Sequence, residues 1–427
     1  MFTVLPLLFG CQPADPEPAP NWRWTDAHGR TVLHVGVNLN QTAKSRAGGY
    51  HHGLTDEDLA LLPASGVTLV RLLAFWEAIE PVRGTYDEGY LEQVRSDVDA
   101  LHALGLTVVL DLHQDVYGEG FGFTGFPRWT CSEERYAAFV RNDTSWFLNY
   151  ASPSVIGCFD DFWASAELQE AYADAAAAVV QVAKPDALDV INEPYWASLS
   201  QADHDDVVLP AFYRRVAEAV RPVAPDLRLF LAPSVASNIN QTTTFDPTSV
   251  GDSNVGFAPH FYPTYAEIGS GFDGDFSDES IVLADFARIA ADAEAPLFVG
   301  EFGIFSTDGN EPDYVRDVLA AVQADGGSAA YWAYDRGRLL TADGAPGPLM
   351  PAFGGPWPHR IPGAFERVDP DGTARFALDG PGELVYVAVG DGASCAVDGA
   401  DVVDVHRDGA QIIANLDGHG EVTARCE

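Results

Sequence analysis

From residue 31 onward, short and nearly continuous apolar runs alternate with longer stretches of amphipathic periodicity, and this alternation constrains the fold more than any other feature. The apolar runs lie at 31–38, 67–73, 106–112, 188–192, 227–232, 255–262, 296–301 and 329–334. Between them, segments such as 90–104, 167–183, 207–220, 280–293 and 312–324 carry apolar residues at helical spacing. A strand buried on both faces reads as an unbroken apolar run, and joining two parallel strands needs a crossover, usually a helix, so the pattern is one of repeated βα units. Eight such units predict an α/β fold, a (β/α)8 barrel. Several runs end in polar or ionisable side chains: Arg71, His113, Asn192-Glu193, His260 and Glu301. In such a barrel the C-terminal strand ends carry the active site.

After residue 360 the pattern changes to short alternating strands at 373–378, 383–389, 401–406, 410–415 and 421–425, separated by Asp-Gly and Gly-Pro turns. Asp371-Gly372, Asp391-Gly392, Asp408-Gly409 and Asp417-Gly418 are spaced as hairpin turns. The expected organisation is therefore a catalytic barrel over 21–360 and a small β-sandwich over 361–427. Residues 1–20 hold an apolar stretch, Gly10-Cys11, and a tether rich in Pro and acidic residues. That order resembles a bacterial lipoprotein signal with Cys11 lipidated; a plain secretory signal or a mis-called start also fits it. The expected location is secreted or lipid-anchored at the cell envelope, with membrane association through that anchor. The other four cysteines form two local groups, Cys131 with Cys158 and Cys395 with Cys426. An even set in an exported chain favours disulfides, with the local pairing as the expectation and buried free thiols as the alternative.

Against 24 Lys and Arg stand 63 Asp and Glu, a formal charge of −39, which excludes a nucleic-acid binder that works by neutralising phosphates. The chain is expected to act as a monomer. The glycine-rich loop at 118–126 lacks the Lys-Ser/Thr ending of a nucleotide cradle. Its three Phe fit either an apolar wall beside a cleft or ordinary loop packing.

Two glutamates cap two of the predicted strands, in Asn192-Glu193-Pro194 and Gly300-Glu301-Phe302-Gly303. About three βα units separate them, which brings them across one barrel mouth. A facing carboxyl pair there can hydrolyse a glycosidic bond, one as acid/base and the other as nucleophile. No cofactor and no metal is called for, since no His/Cys cluster in the sequence has ligand spacing.

The motifs now become recognisable as a set: Gly36-Val37-Asn38, Val70-Arg71-Leu72, Trp76-Glu77-Ala78-Ile79-Glu80-Pro81, Leu110-Asp111-Leu112-His113-Gln114-Asp115-Val116-Tyr117, Asn192-Glu193-Pro194-Tyr195, Pro259-His260-Phe261-Tyr262, Gly300-Glu301-Phe302-Gly303 and Tyr331-Trp332. Together they resemble glycoside hydrolase family 5 and, within it, the endoglycoceramidase-like group, which cleaves glycan from ceramide in glycosphingolipids. The resemblance implies a retaining hydrolase with Glu193 as acid/base and Glu301 as nucleophile. It implies that Arg71 sits beside the nucleophile, that Tyr262 donates to Glu301, that Asn192 holds the sugar 2-OH, and that His113 and His260 orient sugar and acid. Asp111 then supports His113, Asp115 reaches sugar hydroxyls, and Trp332 stacks on the sugar. The bland alternatives are a structural ion pair for Arg71, satisfied core histidines, and a core tryptophan. Two other functions compete: another β-glycosidase of the family, glucosylceramidase-like or endoglucanase-like, and a catalytically silent carbohydrate-binding barrel. Retention of both glutamates with Arg71 and Tyr262 disfavours the last. After Asn-Glu-Pro, Tyr195-Trp196-Ala197-Ser198 departs from the Phe-rich turn expected of the group.

Overall fold

The computed structural model describes residues 22–238, 242–306 and 309–427; the apolar leader, Cys11 and the tether lie outside them. The strands are β1 Thr31–Val32, β2 Val35–Leu39, β3 Leu69–Ala74, β4 Thr107–Leu112, β5 Ala187–Asp189, β6 Arg228–Leu231, β7 Val255–Phe257, β8 His260–Phe261, β9 Phe298–Phe302 and β10 Ser328–Tyr331. They continue as β11 Trp357–Ile361, β12 Ala364–Val368, β13 Ala374–Val387, β14 Cys395–Asp398, β15 Asp401–Asp408 and β16 Gln411–Cys426.

Strands β2 to β10 form one parallel sheet in the order β7-β6-β5-β4-β3-β2-β10-β9-β8. β7 and β8 are two pieces of one barrel strand. The Phe257 N–H donates to the Pro296 carbonyl at 2.9 Å and His260 lies in register with Glu301, which closes the sheet into the predicted barrel. The helices pack outside through amphipathic faces. Ala166–Ala183, for example, buries Gln169, Tyr172, Ala173, Ala176, Val179, Val180 and Ala183 at helical spacing, and Ser165 caps its start by accepting from the Leu168 N–H.

Period-2 alternation stacks the barrel interior in layers. Leu69, Val109, Ala187, Phe230, Ala258, Phe298 and Ala330 form an apolar floor, with Trp24 packed beneath it. Two residues further along five of these strands come Arg71, Asp111, Asp189, His260 and Gly300, so the next layer up is largely ionisable. On β9 the register against β10 shifts between Val299 and Phe302. Simple alternation would turn Glu301 away once Gly300 faces inward; the bulge lets both face the site.

The antiparallel sheet runs β1-β11-β13-β16-β14, with β12 on β13 and β15 on β16. The 31–38 run is therefore not one strand. Leu33 packs into the sandwich core and Val35 into the barrel core, so the segment changes sheets at His34. β13 and β16 are also longer than the sequence pattern suggested. Asp417-Gly418 makes no hairpin; it lies inside β16, paired with Pro381 and Gly380 of β13. Gly380 (φ +107°) and Gly420 (φ +106°) bend these strands, where a residue with a Cβ would be strained. Phe376 and Leu378 before the bend share one core with Leu384 and Tyr386 after it, so a single folded sheet makes both layers of the sandwich. Both disulfides occur in the expected pairing, Cys131–Cys158 and Cys395–Cys426. Among the described residues no helix is long and apolar enough to cross a membrane.

Candidate active site

A cleft of about 550 Å³ opens at the C-terminal end of the barrel strands, and Glu193 and Glu301 both line it. A carboxylate oxygen from each and a ring nitrogen of His260 all lie within 4.8 Å of one another. That spacing matches carboxyl pairs that work by double displacement, about 5–5.5 Å apart, and is too tight for the water that an inverting pair must admit.

Arg71, on β3 and fully buried, organises the floor. Its guanidinium donates to Glu301 Oε1 at 2.8 Å, Asn38 Oδ1 at 3.0 Å, Asn192 Oδ1 at 3.0 Å and Asp189 Oδ2 at 2.9 Å, and pairs with Asp111 Oδ1 at 3.0 Å. Burial alone would weaken its hold on the proton, but Asp111, Asp189 and Glu301 outweigh that and keep it charged. The Tyr262 hydroxyl donates to the other oxygen of Glu301 at 2.9 Å. Both oxygens of Glu301 thus accept charge-stabilising hydrogen bonds.

Glu193 sits differently. Its backbone adopts φ +44°, a left-handed conformation that a non-glycine residue holds only where its surroundings impose it. Gln114 imposes it in part, since its amide donates to the carbonyls of Asn192 (3.0 Å) and Glu193 (2.9 Å), while the Asn192 amide donates to the Gln114 carbonyl at 3.0 Å. The Glu193 carboxyl receives Asn238 Nδ2 on Oε1 at 2.6 Å, and His260 Nδ1 lies 3.0 Å from the same oxygen. Burial, reinforced by the Asp115 charge, pushes Glu193 up to about 7. Burial also pushes His260 down to about 4, so it is neutral beside the acid. The two glutamates are therefore held in the different environments that an acid and a nucleophile require.

His113 Nδ1 lies 2.6 Å from Asp111 Oδ2, and its ring stacks on Trp332 with centroids 5.6 Å apart. Burial and Lys44 oppose its protonation, yet Asp111 and Asp115 prevail and its pKa is raised. Asp115 pairs with Lys44 Nζ at 2.6 Å; burial works against its charge, but Lys44 and His113 hold it below the usual carboxylate range. Lys44 Nζ also lies 4.5 Å from the Trp332 ring centroid. Arg71, Asp111, His113, Asp115, Asn192, His260, Tyr262 and Trp332 are thus gathered around the glutamate pair. Of the three Phe at 118–126, Phe123 lines the cleft, whereas Phe121 packs on Tyr136 and Phe139 and Phe126 on Trp76 and Phe162. The remaining apolar lining comes from Trp146, Phe147, Val235, Ile268 and Phe305.

Sequence reasoning missed Lys44, Asn238 and the tie made by Gln114. Lys44 had a signal, being one of two lysines in the chain. Asn238 had none. Outside the cleft, His51, His52 and Asp97 come within ligand distance of one another. However, the Nδ1 atoms of His51 and His52 accept the Gly53 and Leu54 N–H groups at 3.0 and 3.1 Å, which leaves the ring proton of each neutral imidazole on Nε2 and no lone pair there for a metal.

Residues 25–337 match the family model described as cellulase (glycosyl hydrolase family 5). Over 94% of this chain and 86% of the relative, the sequence is 28% identical to endoglycoceramidase I of Rhodococcus hoagii (strain 103S). Endo-glycoceramidase II from Rhodococcus sp. is similar in structure: in its ganglioside GM3 complex the TM-score is 0.80 at 26% identity, covering 94% of this chain and 98% of that one. As its lactosyl-enzyme intermediate the TM-score is 0.78 at 26% identity, covering 94% and 99%.

Proposed function

The chain belongs to glycosyl hydrolase family 5, and from that premise we propose that it is a retaining endoglycoceramidase-like hydrolase that cuts the β-glycosidic bond between oligosaccharide and ceramide. The observation that carries the mechanism is the facing pair with oxygens within 4.8 Å, one glutamate charge-paired and the other pushed up by burial. Glu301, paired with Arg71 and aimed by Tyr262, attacks the anomeric carbon. Glu193 in its acid form protonates the departing oxygen, then as carboxylate takes a proton from the water that hydrolyses the glycosyl-enzyme. Asn192, anchored by Arg71 and Gln114, holds the 2-OH, and Trp332, His113, Asp115 and Lys44 offer one face and several hydrogen bonds to the sugar.

The lipid reading draws support from the cleft lining, where Phe123, Trp146, Phe147, Val235, Ile268 and Phe305 supply apolar surface that suits acyl chains. The relative solved with a ganglioside supports it further. Two disulfides support work in an oxidising compartment outside the cytoplasm.

Lactosylceramide tests the cut. Release of intact disaccharide and ceramide is the expected result. Galactose with glucosylceramide would make the enzyme exo-acting, and turnover of cellulose-like polymers without any glycolipid cleavage would move the substrate to the wider family.

The pH profile tests the acid. Because Glu193 must be protonated for bond cleavage and is raised to about 7, kcat/KM is expected to hold below that value and to fall as pH rises through it. Glu193→Gln should erase that limb. A limb that survives the substitution would assign the titration to another group.

A further inference from the structure

Lys44 and Arg338 both line the cleft, and they differ in what holds them. Lys44 is matched by Asp115 at 2.6 Å. Arg338 has no ion pair and no side-chain hydrogen bond among the described residues; its guanidinium carbon lies 4.3 Å from the centroid of the Phe305 ring. Acids nearby in the chain are engaged elsewhere. Asp335 accepts from Asn40 Nδ2 at 3.0 Å and from the Gln41 N–H, and Asp343 accepts from the Thr341 hydroxyl at 2.6 Å. The Arg338 N–H donates to the Asp335 carbonyl at 3.2 Å, so the loop that carries Arg338 is tied to the segment after β2. A guanidinium stacked through its face keeps its N–H edge for an anion. In a chain of formal charge −39, an unmatched cation in the cleft stands out.

The barrel gives the direction. Along β5-β4-β3-β2-β10 the first and last strands are four places apart in a closed ring of eight, with β7 and β8 counted as one. Glu193, after β5, therefore faces the loop after β10, with Trp332 and Arg338, across the barrel mouth. The acid protonates the leaving oxygen, so the aglycone departs on the Glu193 side. The glycan extends the other way, over Trp332 and toward Asn40, Lys44 and Arg338.

We propose that Arg338 is a specificity-determining residue that pairs with a carboxylate on the glycan, beyond the sugar held by Trp332, so that the enzyme favours acidic glycosphingolipids over neutral ones. An arginine fork takes a carboxylate through two parallel hydrogen bonds. The local cation also offsets the repulsion that so acidic a protein exerts on an acidic lipid.

This inference rests on the glycolipid-cleaving reading, and the test keeps the two apart. The substrates, dispersed in neutral detergent, are lactosylceramide, ganglioside GM3, which adds one sialic acid to the same lipid, and the methyl ester of GM3, which has the shape without the charge. In the wild type, kcat/KM for GM3 is expected to exceed that for the ester on the order of tenfold, chiefly through KM, and to lose that advantage as salt is raised. Arg338→Met, which keeps a long side chain over Phe305, should erase the advantage and change lactosylceramide turnover by less than about twofold. Arg338→Lys should restore part of it. Equal kcat/KM for GM3 and its ester in the wild type, or equal losses on all three lipids in the Met variant, would overturn the proposal. An anionic membrane surface offers the same chemistry as the glycan carboxylate, so lactosylceramide is also presented in phosphatidylcholine vesicles with and without phosphatidylglycerol. A loss in Arg338→Met confined to the phosphatidylglycerol vesicles would assign Arg338 to the surface and take it from the glycan. Calorimetric binding of sialyllactose against lactose to Glu301→Gln needs no turnover. If no glycolipid is cleaved, yet sialyllactose binds tighter and Arg338→Met in that background removes the difference, the cut is misassigned and the role of Arg338 stands. Cleavage of lactosylceramide with no difference in binding removes the Arg338 role alone.

Discussion

Glu301→Gln is expected to abolish turnover, with kcat lowered on the order of 10⁵-fold or more, while the fold survives. The amide keeps the carboxylate's shape but cannot form the glycosyl ester, so the two easy steps revert to one hard one. Its local hydrogen bonds can persist: the amide oxygen still accepts from Arg71, and the Tyr262 hydroxyl, now 2.9 Å from an NH₂ group, can rotate to accept. Intact near- and far-UV circular dichroism with no product after long incubation is the expected pair of results. More than about one per cent of wild-type turnover would remove Glu301 as nucleophile, as would inversion of the anomeric configuration in the first product of the wild-type enzyme.

The barrel was legible because its strands are buried on both faces and so read as apolar runs, and because their crossovers are amphipathic helices. What misled was chain that changes environment without changing composition. Residues 31–38 are apolar throughout, yet Leu33 and Val35 serve different cores. Glycines misled in the other direction. Gly380-Pro381-Gly382 and Gly418 have the composition of turns, but β13 and β16 run through them, because a strand that must fold over its own core bends at glycine instead of reversing.

In the site, the residues visible in advance were those at the ends of apolar runs, where strand periodicity assigns a direction. Arg71, His113, Glu193, His260 and Glu301 are of that kind. Lys44 and Asn238 come from connecting segments, whose paths no periodicity reports, and only the closed barrel brings them to Asp115 and Glu193. Asp189 was visible as a strand residue but not as a site residue. A lone acid at the end of an apolar run gains meaning only from what it faces, here the guanidinium of Arg71.

Arg71→Met tests the floor of the site as a whole, in stability as well as rate. The substitution leaves Asp111, Asp189 and Glu301 buried without their shared cation, and breaking a buried pair from one side costs about 3–5 kcal/mol. The cost must depend on pH. Carboxylates stripped of Arg71 have their folded-state pKa values raised above the unfolded value of about 4, so the folded variant binds more protons than the unfolded chain. The stability they leave is therefore present at low pH and lost as pH rises. The gap between wild type and variant in urea unfolding should be smaller at pH 5 than at pH 8, whereas loss of a surface ion pair, with no buried charge left behind, would give nearly the same gap at both values. Turnover should fall together with stability, on the order of 100-fold or more even where the variant is fully folded at pH 5, because Glu301 loses the cation that it is paired with and aimed by. A gap that is constant with pH would mean that these carboxylates find other partners when Arg71 is gone, and that its role is packing rather than charge.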